Sequence, residues 1–389
     1  MSNSPIIEIP LLNLRGEINE LWDEINEAFQ RVLRSGHFVL GPEVEAFESE
    51  VANFLGVRFA IGLNSGTDAL TIGLKSLGIS EGDEVITTAF SFFATAEAII
   101  HAGASPVFVD IDPETFNMDP KRIEEAITSR TRAIIPVHLY GNPAPIENIA
   151  SLAGKYNLSV LEDAAQAFGA IYEGKPLGKT TTQPFVEQRV GSRSEATAFS
   201  FYPTKNLGAY GDGGLLTTND PEIAKKVLMY RNHGELPNQR YRHQVVGYNS
   251  RLDEFQAAIL RLKLTRIDNW NDLRRNAAAS YRNLLESTRD ARAPTHYDGH
   301  IYHQFSIMLP PDVRKAVATY LYDQGISTKI YYPESLTVPH QTRKTFTPVS
   351  DNTAKSVLSI PIWPGIPSDS QVRVVDTIKE ALRLSGKEA

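Results

Sequence analysis

The stretch Phe199-Ser200-Phe201-Tyr202-Pro203-Thr204-Lys205-Asn206-Leu207-Gly208-Ala209-Tyr210-Gly211-Asp212-Gly213-Gly214 joins two apolar runs, Ala196–Phe201 and Gly214–Thr217. Between them lie one lysine and a glycine-rich turn. Short apolar, β-branched runs bounded by such turns read as strands. The turn matches neither a P-loop nor a dinucleotide fingerprint. A lysine at the end of a buried strand is a candidate nucleophile, because desolvation lowers its pKa and frees an amine able to form a Schiff base. Ser200 offers a hydroxyl to a phosphate, and the glycines let the chain turn tightly around a flat ligand. A surface lysine in a turn is the plainer reading of the same residues, so the neighbours must decide.

On the N-terminal side, further short runs appear at Phe59–Gly62, Glu84–Thr87, Val107–Val109, Ala133–Val137 and Leu158–Leu161. Helical spacing fills the gaps at Thr67–Leu77, Ala94–Ala102, Pro120–Ala126 and Ile146–Tyr156. Strands alternating with helices predict an α/β layer with a mainly parallel sheet. Near-continuous apolar strands such as Ala133-Ile134-Ile135-Pro136-Val137 predict burial on both faces. Ahead of this region, Glu17–Leu33 reads as one helix stopped by Ser35-Gly36, and a second follows Gly41-Pro42. On the C-terminal side, Arg251–Leu285 reads as one or two long helices. His303–Leu309 reads as a strand, Val313–Asp323 as a helix and Gly325–Tyr332 as a strand. The expected division is a large α/β domain, 1–265, and a smaller C-terminal α+β domain, 266–389. The polar stretch Thr180–Val190 reads as a loop.

The chain has 389 residues, enough for a substantial core. Its formal charge of -7 and the absence of a basic patch argue against a nucleic-acid partner. There are no cysteines, so disulfides, thiolate catalysis and cysteine-ligated metals are excluded. The absence also fits a reducing cytoplasm, the expected location. No stretch is long and apolar enough to read as a membrane span, and no metal site is expected.

Two further motifs bear on Lys205. Asn64-Ser65-Gly66-Thr67-Asp68-Ala69-Leu70 follows one expected strand and opens a helix. A helix N-terminus presents unpaired N–H groups to a phosphate, and Gly66 permits close approach. Taken alone, the motif is more often a capped helix that binds nothing. Leu161-Glu162-Asp163-Ala164-Ala165-Gln166 places Asp163 just past a strand, where ligands of open α/β sheets bind. A carboxylate there can keep a pyridine nitrogen protonated, as pyridoxal-phosphate chemistry requires. The plainer reading is a loop acid that caps the next helix.

Together these blocks resemble the DegT-type sugar aminotransferases, pyridoxal-phosphate enzymes of the type I (aspartate aminotransferase) fold. The resemblance covers most of the chain. It is carried by Gly41-Pro42-Glu43-Val44-Glu45-Ala46-Phe47-Glu48, the Ser65–Leu70 block, Ser91-Phe92-Phe93-Ala94-Thr95, His138-Leu139-Tyr140-Gly141, Glu162–Gln166, Ser200–Gly208 and Gly247-Tyr248-Asn249-Ser250-Arg251-Leu252-Asp253. It implies that Lys205 is the Schiff-base lysine and proton shuttle, and that Asp163 pairs with the pyridinium nitrogen. It implies Gln166 at the phenolic oxygen, Gly66, Thr67 and Ser200 at the phosphate, and Phe92 stacked on the ring. It further implies that Asn249 reaches the phosphate of the neighbouring subunit, which makes a homodimer with a shared active site. The implied reaction moves an amino group from an amino acid, L-glutamate, to a nucleotide-linked keto sugar at carbon 3 or 4.

Related dehydratases carry a histidine where Lys205 stands, so the lysine speaks against dehydration. A non-catalytic regulator that kept the fold would be expected to lose Lys205 or Asp163, and both are present. The sequence departs from the family pattern at Gly191-Ser192-Arg193-Ser194-Glu195, which replaces a glycine–serine–x–glycine–aspartate turn. It departs again at Tyr332-Pro333-Glu334-Ser335-Leu336-Thr337, which lacks a second proline and a histidine, with His340 further on. Both stretches, Ser35-Gly36-His37-Phe38 and Tyr331-Tyr332 are the candidate substrate contacts.

Overall fold

Alternation along the strands builds the main sheet. Val85, Ala133, Ile135, Leu161 and Leu216 bury in one hydrophobic layer. Their neighbours Ile86, Ile134, Val160 and Leu215 bury in another. Adjacent strand residues point to opposite faces, so both faces of this sheet are covered. The computed structural model describes residues 8–172, 188–236, 239–337 and 346–387.

The strands are β1 Phe59–Leu63, β2 Glu84–Thr88, β3 Ser105–Val109, β4 Thr131–Ile135, β5 Ser159–Asp163, β6 Ala196–Ser200 and β7 Gly214–Thr218. They form one sheet in the order β1-β7-β6-β5-β4-β2-β3. The pairs from β6 through β3 are parallel. β7 runs antiparallel to both β1 and β6. It follows that β1, β2, β4, β5 and β6 all end at the same edge. Each continues there into one of the motifs read from the sequence, at the edge where open α/β sheets bind ligands. The fold is the expected α/β type, with a mixed, mainly parallel sheet.

Two expected elements differ. Glu17–Leu33 is not one helix: the chain forms Leu14–Glu20 and Trp22–Ser35, broken at Leu21. No glycine or proline causes the break. Leu21 buries with Ile25, Ile259 and Trp270, and tertiary packing overrides helical continuity. Gly325–Tyr332 is not a strand. Ile326 bridges to Ile9 and Lys329 to Ser359, so its two ends find different partners and no ladder forms. The span Arg251–Leu285 resolves into helices Glu254–Leu264 and Ile267–Leu285.

A second core gathers Tyr281, Phe305, Ile307, Leu321, Leu358, Ile360, Val375 and Ile378, with Ile9 from the N-terminal segment. Its sheet has two antiparallel strands, β8 Phe305–Met308 and β9 Val357–Ile360. The C-terminal helix Ser368–Leu384 covers it, presenting Val374, Val375, Ile378 and Leu382 at helical spacing. Among the described residues, no helix is long and apolar enough to cross a membrane. Most of the expected loop 180–190 lies outside the described residues, as does His340.

Candidate active site

Asp163 is the last residue of β5 and is buried. Its Oδ2 accepts from the Thr95 hydroxyl at 2.7 Å and its Oδ1 from the Ala165 N–H at 3.1 Å. Thr95 lies in the helix Ala94–His101 and is itself 3.0 Å from the Ser91 hydroxyl. Thr95 gives its proton to Asp163, so Ser91 is the donor to Thr95. The sequence blocks contain both residues, but nothing local in them pairs Thr95 with a carboxylate 68 positions away.

Lys205 sits in the turn after β6, its N–H bonded to the Tyr202 carbonyl at 2.9 Å. Burial lowers its amine to about 8, and the negative charge of Asp163 opposes the drop. A lysine near 8 is partly neutral at working pH and is a competent nucleophile and base.

Gly66 is the first residue of the helix Gly66–Ser76, capped by Ser65, whose Oγ accepts from the Asp68 N–H at 3.1 Å. A Cβ on Gly66 would lie 2.7 Å from Cβ of Ser200, the last residue of β6. The helix start and that strand end thus touch, and only glycine permits it. Thr67 follows Gly66 in the first turn. The positive end of the helix dipole and its free N–H groups face this junction, which suits an anion.

Gln166 is held at both ends of its amide. Oε1 accepts from the Tyr140 N–H at 2.6 Å, and Nε2 donates to the Tyr332 hydroxyl at 3.0 Å. Tyr140 adopts positive φ, 57°, to present that N–H. Burial pushes the Tyr332 phenol up, Gln166 opposes this, and Asp163 adds to it. The Tyr332 ring centroid lies 6.0 Å from Phe90 and 6.1 Å from Phe92. Phe92 is 60% exposed, a solvent-facing aromatic rather than a core residue.

Asn249 stands apart. It is exposed and bridges to Asn232, while its neighbour Ser250 bonds the Asn64 side chain at 3.1 Å. Phe38 stacks on Phe255 at 6.0 Å, and its carbonyl accepts from the Glu254 N–H. Ser194 and Glu195, in the segment that departs from the family pattern, serve β5. Glu195 accepts from the Val160 N–H at 3.0 Å, and the Ser194 hydroxyl donates to Glu162.

Glu162 itself is fully buried. Besides Ser194, it accepts from the Tyr172 hydroxyl at 2.6 Å and the Thr197 hydroxyl at 3.2 Å, and His138 Nε2 lies 2.8 Å from it. His138 Nδ1 accepts from the Ala144 N–H, so its proton sits on Nε2, toward the carboxylate. Among the described residues, no group of three or more His, Cys, Asp or Glu side chains is placed to hold a metal ion.

A mainly parallel sheet whose strand-end edge carries a partly neutral lysine, a buried aspartate and a glycine-opened helix start fits an aminotransferase of the type I fold. The chain belongs to the DegT/DnrJ/EryC1/StrS aminotransferase family, whose model matches residues 19–379. It is 44% identical over 380 residues to the UDP-N-acetyl-3-dehydro-alpha-D-glucosamine 3-aminotransferase of Acidithiobacillus ferrooxidans, covering 96% of this chain and 98% of that protein. It is also 44% identical over 390 residues to a protein of Geobacillus stearothermophilus named pleiotropic regulatory protein, covering 97% and 99%. Among solved structures, Streptomyces venezuelae DesV in complex with a ketimine intermediate superposes with a TM-score of 0.88. The identity is 39%, with 96% of this chain and 98% of that one covered.

Proposed function

We propose that this chain transfers an amino group from L-glutamate to a nucleotide-linked keto sugar at carbon 3, using pyridoxal 5'-phosphate attached to Lys205. The observation that carries the reading is the meeting of three fragments at one sheet edge. Lys205 supplies a partly neutral amine, Asp163 a buried carboxylate with acceptor capacity to spare, and the Gly66–Ser200 junction a cradle that a single Cβ would fill. That donor set fits a flat pyridine bearing a phosphate. Bound there, the cofactor supplies an electron sink for the carbon that loses its proton.

The remaining work falls to the chain. Lys205 Nζ takes the proton from the α-carbon of the amino acid and returns it one position away, as general base and then general acid. Asp163 would keep the ring nitrogen protonated. Gln166 would contact the phenolic oxygen, Thr67, Gly66 and Ser200 would hold the phosphate, and Phe92 would offer the ring a stacking face. Exposed Asn249 is free to reach a second subunit, which supports a homodimer with a shared site. The name of the 44% identical Acidithiobacillus relative favours carbon 3 over carbon 4. The division into a large domain, 1–265, and a small one, 266–389, is part of the same proposal.

A second reading, a regulator that binds the cofactor without turnover, is favoured by the name of the Geobacillus relative. One experiment separates the two. Adding glutamate to the purified, cofactor-loaded protein should bleach the visible band of the lysine-bound cofactor and release 2-oxoglutarate. Lys205→Ala should abolish the band and lower turnover by about a thousandfold or more. A band indifferent to glutamate and to other amino donors supports the regulator.

A further inference from the structure

Lys205 is followed by Asn206, a buried residue whose side-chain amide is fully engaged. Asn206 Nδ2 donates to Asn271 Oδ1 at 2.8 Å and to the Ile301 carbonyl at 3.3 Å. Asn271 Nδ2 in turn donates to the Phe168 carbonyl at 3.3 Å. Two backbone carbonyls, which can only accept, fix the orientation of both amides. Asn206 Oδ1 therefore faces His303 Nδ1, 3.1 Å away, and that nitrogen must carry the proton. The chain of donors runs His303 to Asn206 to Asn271 to Phe168. It starts just before β8 of the second core, passes beneath Lys205 and ends two residues beyond Gln166.

We infer that His303, acting through Asn206, is a positioning residue that fixes the Lys205 turn relative to the Asp163–Gln166 loop. This rests on the assignment of Lys205 as the cofactor lysine. His303 is buried, and its polar surroundings include Lys205 on the turn, Arg274 on the helix Ile267–Leu285, Asn206, and Gln304, whose Nε2 lies 3.5 Å from His303 Nε2. Burial, then Lys205, then Arg274 push it well below the ordinary histidine range, so it stays a neutral Nδ1–H donor. A proton-shuttling lysine must reach two carbons in turn, and small errors of placement at such a step are costly. The network ties the backbone of that lysine to both cores at once.

His303→Phe removes the donor. His303→Asn restores one, because the amide nitrogen of asparagine occupies the place of Nδ1. Asn206→Leu breaks the chain from the other side and serves if His303→Phe does not fold. The expected result for His303→Phe or Asn206→Leu is a kcat about tenfold lower with KM for glutamate within twofold. The visible band of the loaded enzyme should shift in its pH midpoint. The rate of reductive methylation of Lys205 in the cofactor-free chain should change severalfold, and His303→Asn should recover most of each effect. If folded variants keep the wild-type kcat, band and methylation rate, the inference is wrong. A wild-type protein with no glutamate-sensitive band overturns instead the cofactor assignment on which it rests.

Discussion

Glu162 and Asp163 are consecutive carboxylates at the tip of β5, turned to opposite faces of the sheet. A carboxylate has roughly four acceptor sites. Glu162 takes three hydroxyl donors, Ser194, Thr197 and Tyr172, with His138 Nε2 2.8 Å away, and has little capacity left. Asp163 meets two, Thr95 and Ala165, and keeps about half of its capacity. Both are buried, so burial alone does not mark function. What separates them is satisfaction: the saturated acid is taken up by the scaffold, and the half-satisfied one keeps acceptor capacity, as the proposed function requires.

The largest effect should come from Asp163→Asn. The amide keeps the size but cannot hold a proton on a ring nitrogen, so kcat should fall by about a thousandfold. Thermal stability should fall by less than for Glu162→Gln, because Thr95 can still donate to the amide oxygen and only the Ala165 N–H loses its acceptor. A kcat within tenfold of wild type would remove the distinction between the two acids. Glu162→Gln should do the reverse. Its NH2 would face donors, leaving buried groups unpaired, at a cost of about 2–4 kcal/mol read by denaturant titration. The kcat per folded molecule should stay within a few-fold. The pH profile checks the same point. Burial raises the Glu162 carboxyl, but His138, Ser194 and Tyr172 outweigh it and hold the group below its usual value. Its contribution is present above a pH of about 4.5 and is lost as pH falls through the lowered value, so Glu162→Gln should flatten the acid side of the stability curve.

The sequence reveals Asp163 and Lys205 more clearly than it reveals what surrounds them. Each follows an apolar strand directly, and a strand end in an α/β sheet is a local signal. The strands themselves are legible because β-branched runs alternate between two buried layers. Thr95, Tyr332 and His303 are different. Each acts across 68, 166 or 97 positions of chain, on Asp163, Gln166 and Asn206, and no local spacing encodes such pairs. Leu21 shows the same limit within one element, where helical spacing runs on but a packing partner stops the helix. Glu162 sits in a motif read for its neighbour, and only the fold separates the two acids.

Lys205 gives the smallest and sharpest test of the contrast. If the cleft is a place of unmet polar groups, removing one should stabilise the cofactor-free chain, whereas removing Glu162 destabilises it. Burial depresses the Lys205 amine from 10.5 to about 8, so the folded chain binds its proton less tightly than the unfolded chain. For a base with a lowered folded value, the penalty is full below about 8 and fades as pH rises toward 10.5, where both states become neutral. Lys205 is only partly buried, so solvent screening reduces the penalty, to about 2 kcal/mol at pH 7. Lys205→Met fills similar volume without the charge. The cofactor-free variant should therefore melt higher than cofactor-free wild type at pH 7, and the two should converge as pH approaches 10.5. Equal melting at both pH values would mean that the amine is as well solvated as a surface lysine, and the cleft would lose its place opposite Glu162.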